Sequence, residues 1–109
     1  MNTKVIDMKV FSSTPYGRYP SDGPDSGQRF RTEYLMPALT DKEVDKVVVR
    51  LDSVSNGYEY GSSFLEEAFG GLIRKEGLST EEVLSKLEVE TKFSDYVSEI
   101  EIYIKRAFQ

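Results

Sequence analysis

Apolar and polar positions alternate from Lys4 to Phe11, with Val5, Ile6, Met8 and Val10 among charged spacers. The alternation predicts a first strand, and its polar margins suit the rim of a sheet. The stretch Ser12 to Gly27, SSTPYGRYPSDGPDSG, breaks the pattern with three prolines and three glycines. Such punctuation stops both helices and ladders, so a long connection is expected there, with only Tyr16 and Tyr19 to anchor it. Helical spacing returns from Gln28 to Leu39. Phe30, Tyr34, Leu35, Ala38 and Leu39 share one stripe, Ser26 is placed to cap it, and Pro37 should kink or tighten it.

KVVVRLDSV follows a polar link. Its run from Val47 to Leu51 reads as a central strand covered on both faces. Ser55 to Gly61 is a loop carrying the Asn56-Gly57 turn signal. Phe64, Leu65, Ala68, Phe69, Leu72 and Ile73 then form a broad helical stripe. Ser63-x-x-Glu66 reads as a capping box, with Ser62 as the competing N-cap. Gly70-Gly71 lies inside this helix at a cost of about 1 kcal/mol per glycine, which calls for close approach to the sheet or to a partner. Gly77 should end the helix. Ser79-x-x-Glu82 opens a short helix to Lys86, and Leu87 to Thr91 alternates as a third strand. Ser94 is placed to cap a last helix with Val97, Ile100, Tyr103, Ile104 and Phe108 on one face and Ile102 off it. Strands separated by helices imply an α/β fold: a mostly parallel or mixed sheet of about 3–5 strands, joined by right-handed crossovers, with helices packed on it.

The chain has 109 residues. That length suits a single domain over 1–109, with 12–27 as its long Gly/Pro loop. Cysteine and histidine are both absent. Thiol nucleophiles, imidazole bases and the usual zinc sets are thereby excluded, and neither an enzyme nor a cofactor is expected. Fourteen basic and nineteen acidic residues give a net charge of −5. Residues 1–50 carry +1 and residues 51–109 carry −6. This balance disfavours nucleic acid, whose binding depends on phosphate neutralisation. No apolar run approaches a membrane span and no signal peptide is visible, so a cytoplasmic protein is expected.

GSSFLEEAFGGLIRKEG (61–77) resembles the STAS-like domain family, named for its similarity to sulfate-transporter and anti-sigma-factor-antagonist domains. GRYPSDGPDSGQRFR (17–31), LMPAL (35–39) and KVVVRLDSV (46–54) agree with it in order. The resemblance implies a small STAS-like α/β domain of bacterial or phage origin. It also implies a regulatory protein-interaction module with its working surface around residues 56–66. In anti-sigma-factor antagonists, an Asp-Ser-Ser-Gly element carries a serine phosphorylated by a histidine-kinase-like ATPase partner. Here the matching stretch is Gly61-Ser62-Ser63-Phe64, which keeps the serine pair and loses both flanking residues.

The candidate site residues follow. Ser62 and Ser63 are the candidate phosphosite, although simple capping explains both without any chemistry. Tyr58 and Tyr60 either meet a partner or fold over the sheet. Glu66 is the capping-box carboxylate. Arg18, Arg29 and Arg31 either pair locally with Asp22, Asp25 and Glu33 or clamp an anion together with the Ser62/Ser63 helix start. The second option makes an anion- or nucleotide-binding domain the alternative function. Self-association stays open, no EF-hand spacing is present, and no metal-ligating residue is assigned.

Overall fold

The computed structural model describes residues 2–107. β1 (Thr3–Asp7), β2 (Lys46–Arg50) and β3 (Leu87–Glu90) form one parallel sheet in the order β1-β2-β3. The fold is therefore α/β with the all-β-branched run at its centre. Helical segments fill the connections: α1 (Met8–Phe11), α2 (27–39), α3 (62–74) and α4 (Thr80–Lys86), with α5 (Ser94–Arg106) after the last strand.

The first strand is shorter than the alternation predicts. It ends at Asp7, and Met8–Phe11 closes a single helical turn that buries Met8 and Phe11. Three-residue spacing fits a turn as well as alternation fits a strand, and burial of those two side chains decides between them.

Register separates the two faces of the sheet. Ile6, Val49 and Val89 share a row, as do Val47 and Leu87, and these join the helices in the core. The other face is open, which corrects the expectation of a strand covered on both sides. There Lys46 pairs with Glu88 at 3.0 Å and Arg50 with Glu90 at 2.9 Å. Val48 lies between those two pairs on β2 and is only 8% exposed. A ladder of ion pairs thus shelters the one apolar position that faces outward from the central strand.

Two helices change gauge midway. α2 runs through Gly27–Phe30, a widened π turn at Arg31–Leu35, and Met36–Leu39. The Met36 N–H reaches back to the Arg31 carbonyl. Pro37 follows at once; it lacks an N–H and crowds the turn before it, so the helix widens there rather than tightening. α3 runs through Ser62–Leu65, a second π turn at Glu66–Gly70, and Gly71–Arg74. Gly77, at φ +76°, then ends it: its N–H bonds the Ile73 carbonyl and that of Leu78 the Leu72 carbonyl.

Aromatic rings hold the two helices together. Phe30 packs 5.9 Å from Phe64, 6.4 Å from Phe69 and 5.1 Å from Phe11 between ring centres. Close approach needs Gly27, where a Cβ would meet the Phe64 carbonyl at 2.6 Å. The Ser26 hydroxyl accepts from the Arg29 N–H and the Ser79 hydroxyl from the Glu82 N–H, as expected of N-caps. Ser94 does not cap α5; Phe93 holds that position without a side-chain bond. Ile100 and Ile104 of α5 are buried and Ile102 is exposed, as the stripe predicts, while Phe108 lies outside the described residues. No helix among the described residues is long and apolar enough to cross a membrane.

Candidate functional site

The Gly/Pro segment is tied across itself. Tyr16 N–H donates to Asp25 O at 3.0 Å, Gly27 N–H to Gly17 O at 2.9 Å, and Gln28 N–H to Arg18 O at 3.1 Å. A short 3-10 turn occupies Pro20–Asp22. The Asp22 carboxylate accepts from the backbone N–H groups of Arg18 and Tyr19. Tyr16 and Tyr19, the expected anchors, point outward at 66% and 44% exposure. The segment is held by its backbone and by polar side chains, and its own aromatic side chains are left to solvent.

α3 starts beside it. Gly61 is the N-cap and supplies no side-chain bond, so neither Ser62 nor Ser63 caps the helix; both sit in its first turn and are exposed. The Ser62 side chain lies near the Tyr103 hydroxyl on α5, which donates to Glu99 at 2.5 Å. Burial, and then that bond to Glu99, pushes the Tyr103 phenol up to about 12. A groove of about 490 Å³ runs between the serine pair and Tyr16, Arg18 and Tyr19.

Beneath the groove, the arginines open to local pairing or to an anion clamp are instead drawn largely into an internal ionic network. Arg31 is 4% exposed and Glu67 is 1% exposed. Arg31 Nη1 donates to Glu67 Oε2 at 2.8 Å and to the Glu67 carbonyl at 2.6 Å, while its Nε donates to Glu76 at 2.9 Å. Arg18 donates to Glu67 Oε1 at 3.0 Å and also to Glu66. Arg74 donates to Glu66 Oε1 at 3.1 Å and to Glu67 Oε1 at 3.3 Å. Burial pushes both glutamates up, but the arginine hydrogen bonds outweigh it, and each carboxyl sits below its ordinary range.

Arg18 and Arg31 therefore do converge, and what they converge on is the Glu67 carboxylate. Arg29 stands apart, pairing with Asp25 at 3.4 Å and Glu33 at 3.2 Å and lying over the Phe11 ring. Glu66 is not a capping carboxylate, because Arg18 and Arg74 hold it instead. The glycine pair gains its meaning here: a Cβ on Gly71 would overlap the Arg31 guanidinium, and one on Gly70 would meet the Glu66 carboxylate and the Tyr103 carbonyl. The close approach expected of these glycines is to a neighbouring side chain and to α5, rather than to the sheet.

Tyr58 and Tyr60 fold inward. Tyr60 is 9% exposed; its hydroxyl donates to Leu51 O at 2.6 Å and its N–H to the Tyr96 hydroxyl at 3.1 Å. Burial drives its phenol well above the ordinary tyrosine value. Tyr58, half-buried, donates its hydroxyl to the Pro15 carbonyl and so pins the Gly/Pro segment. A second groove, of about 540 Å³, opens past the carboxyl ends of β2 and β3. It is lined by Tyr58, Tyr60, Phe93 and Tyr96 together with Asp52, Glu59, Lys92 and Asp95. Sequence reasoning passed over Phe93, Tyr96 and Asp95 because their grouping with Glu59 depends on α5 returning to the mouth of the sheet. The only local signal is the Phe93/Tyr96 spacing at a helix start.

No curated protein and no solved structure matches this chain. A family model described as a STAS-like domain of unknown function (DUF4325) matches residues 26–92, which include β2, β3, α2, α3 and α4. The match spans more than half of the chain, which belongs to this STAS-like domain family.

Proposed function

We propose that the chain is a non-enzymatic regulatory module that binds another protein through the start of α3 and the loops flanking it. The observation that carries this reading is the grouping of exposed Ser62 and Ser63 with the outward Tyr16 and Tyr19 across one groove. Exposed tyrosines beside small polar residues make effective protein contacts, because they bury much area for little lost freedom. The resemblance to anti-sigma-factor antagonists supplies the partner class, a histidine-kinase-like ATPase, and the regulatory chemistry, phosphorylation of Ser62 or Ser63. A phosphoryl group on Ser62 adds about −1.5 to −2 charge near Tyr103, where it repels the Glu99 carboxylate and competes with it for the Tyr103 hydroxyl, altering the contact surface. Anion or nucleotide capture by Arg18, Arg29 and Arg31 is the weaker reading, since carboxylates of the chain already occupy all three.

The test is site-specific photocrosslinking in the native host. A crosslinker at position 63 or position 19 should yield one discrete protein adduct, and one at position 46, on the open sheet face, should not. Ser62→Asp should change the adduct yield from position 63. Absence of adducts from 63 and 19, or identical adducts from 46, removes the proposal.

A further inference from the structure

We propose that the groove at the carboxyl ends of β2 and β3 receives an arginine side chain of the protein that binds this module. The inference rests on the interaction-module reading and names the chemistry of its partner.

Three observations carry it. The groove is walled by aromatic rings in mutual contact: Tyr58–Tyr60 at 5.9 Å, Tyr60–Tyr96 at 5.3 Å and Phe93–Tyr96 at 5.9 Å between centres. Its charge is lopsided, with Asp52, Glu59 and Asp95 facing the single cation Lys92. Asp52 is already engaged by the Thr91 hydroxyl and the Lys92 N–H. Glu59 and Asp95 are exposed and have no ion-pair partner among the described residues. The third observation is a cation already on this wall: Lys92 Nζ lies 5.4 Å from the centre of the Phe93 ring. Aromatic faces next to unpaired carboxylates favour a flat, weakly hydrated cation. Guanidinium fits better than ammonium, because it stacks on a ring while donating forked hydrogen bonds to a carboxylate.

The volume, about 540 Å³, suits one or two side chains rather than a whole interface. It is an anchor pocket within a wider contact, and the loop carrying Tyr58 and Tyr60 runs directly into the Ser62/Ser63 helix start.

The experiment is a backbone-amide NMR titration of the full chain with three probes: an acetyl-Gly-Arg-Gly-amide peptide, its citrulline analogue, and spermidine. The arginine peptide should give saturable shifts confined to residues 58–60 and 92–96. The citrulline peptide, which keeps the shape and loses the charge, should bind about tenfold more weakly, as should the arginine peptide to the doubly substituted Glu59→Gln/Asp95→Asn chain. Both of those substitutions are at exposed positions, so they leave the core intact. Equal binding of the two peptides, unchanged binding by the double variant, or shifts scattered over the acidic surface overturns the proposal. Tighter binding of spermidine than of the arginine peptide does so too, since it marks a site for small polyamines. Crosslinking from position 63 is scored separately, so the arginine pocket and the interaction module fail independently.

Discussion

A Cβ built on Gly71 would lie 2.2 Å from Nη1 of Arg31, so the arginine occupies the space that any side chain at position 71 would need. Alanine there should raise helix propensity by about 1 kcal/mol. It also forces Arg31 off Glu67 or bends α3 away from α2. We expect Gly71→Ala to lose about 2 kcal/mol net, because a disrupted buried ion pair outweighs a propensity gain. Denaturant midpoints measure this; a variant as stable as the parent would mean that Arg31 can leave at no cost.

Glu67→Gln tests the same contact from the other helix. It keeps the shape and removes the charge that Arg31 and Arg18 face. Breaking a buried pair from one side costs about 3–5 kcal/mol, whereas replacing both partners by apolar residues of similar volume is often near neutral. The double variant Arg31→Met/Glu67→Met should therefore be more stable than Glu67→Gln alone. A double-mutant cycle without coupling would deny the pair its role in joining α2 to α3.

The network also sets an acid limit. Glu66 and Glu67 titrate below the ordinary glutamate range in the folded chain. The unfolded chain thus binds protons more readily, and stability is present above the unfolded value and lost as pH falls through the folded one. Urea midpoints should drop on acidification below the usual glutamate range, and Glu67→Gln should flatten that slope. At the alkaline end Tyr103, raised to about 12, acts in the opposite sense: its contribution is full below the ordinary tyrosine value and disappears as pH climbs through the folded value. Tyr103→Phe should lessen the alkaline loss followed by tyrosinate absorbance.

Gly61 occupies an N-cap in extended backbone with open space around its Cα. A serine there can accept from an orphan N–H of the first turn without strain. Gly61→Ser should stabilise the chain by about 0.3 kcal/mol, read as a small upward shift of the thermal midpoint. A destabilised variant would show that the tip of α3 needs its cap bare.

The regular parts of this fold were legible because burial writes itself locally. Phe30, Tyr34, Leu35, Ala38 and Leu39 mark α2, three valines mark the central strand, and Ser26 and Ser79 announce their helices through groups three residues away. The network was not legible. Arg31 and Glu67 are separated by 36 positions and Arg18 and Glu66 by 48, and each arginine has a plausible carboxylate nearer in sequence. Glu66 was drawn to Ser63 by the same nearness. The open face of the sheet was hidden because three consecutive valines read as a strand buried on both sides. In fact Val48 is sheltered by the arms of flanking ion pairs, a device with no apolar signature. At the candidate site, the exposed serine pair was readable from its place ahead of an apolar stripe. The inward turn of Tyr60 was not, since it depends on a hydroxyl meeting the Leu51 carbonyl just past the end of β2.

The wide turn at Glu66–Gly70 implies a rule about length. Such a turn is an ordinary helix with one residue too many. Deleting that surplus would give a straighter rod, and everything beyond it would swing by about 100°. Arg74 would then face away from its glutamates. In most helices a residue can be exchanged and the count is forgiving. In this one the count itself is under constraint, and a single-codon deletion should do more harm there than most substitutions.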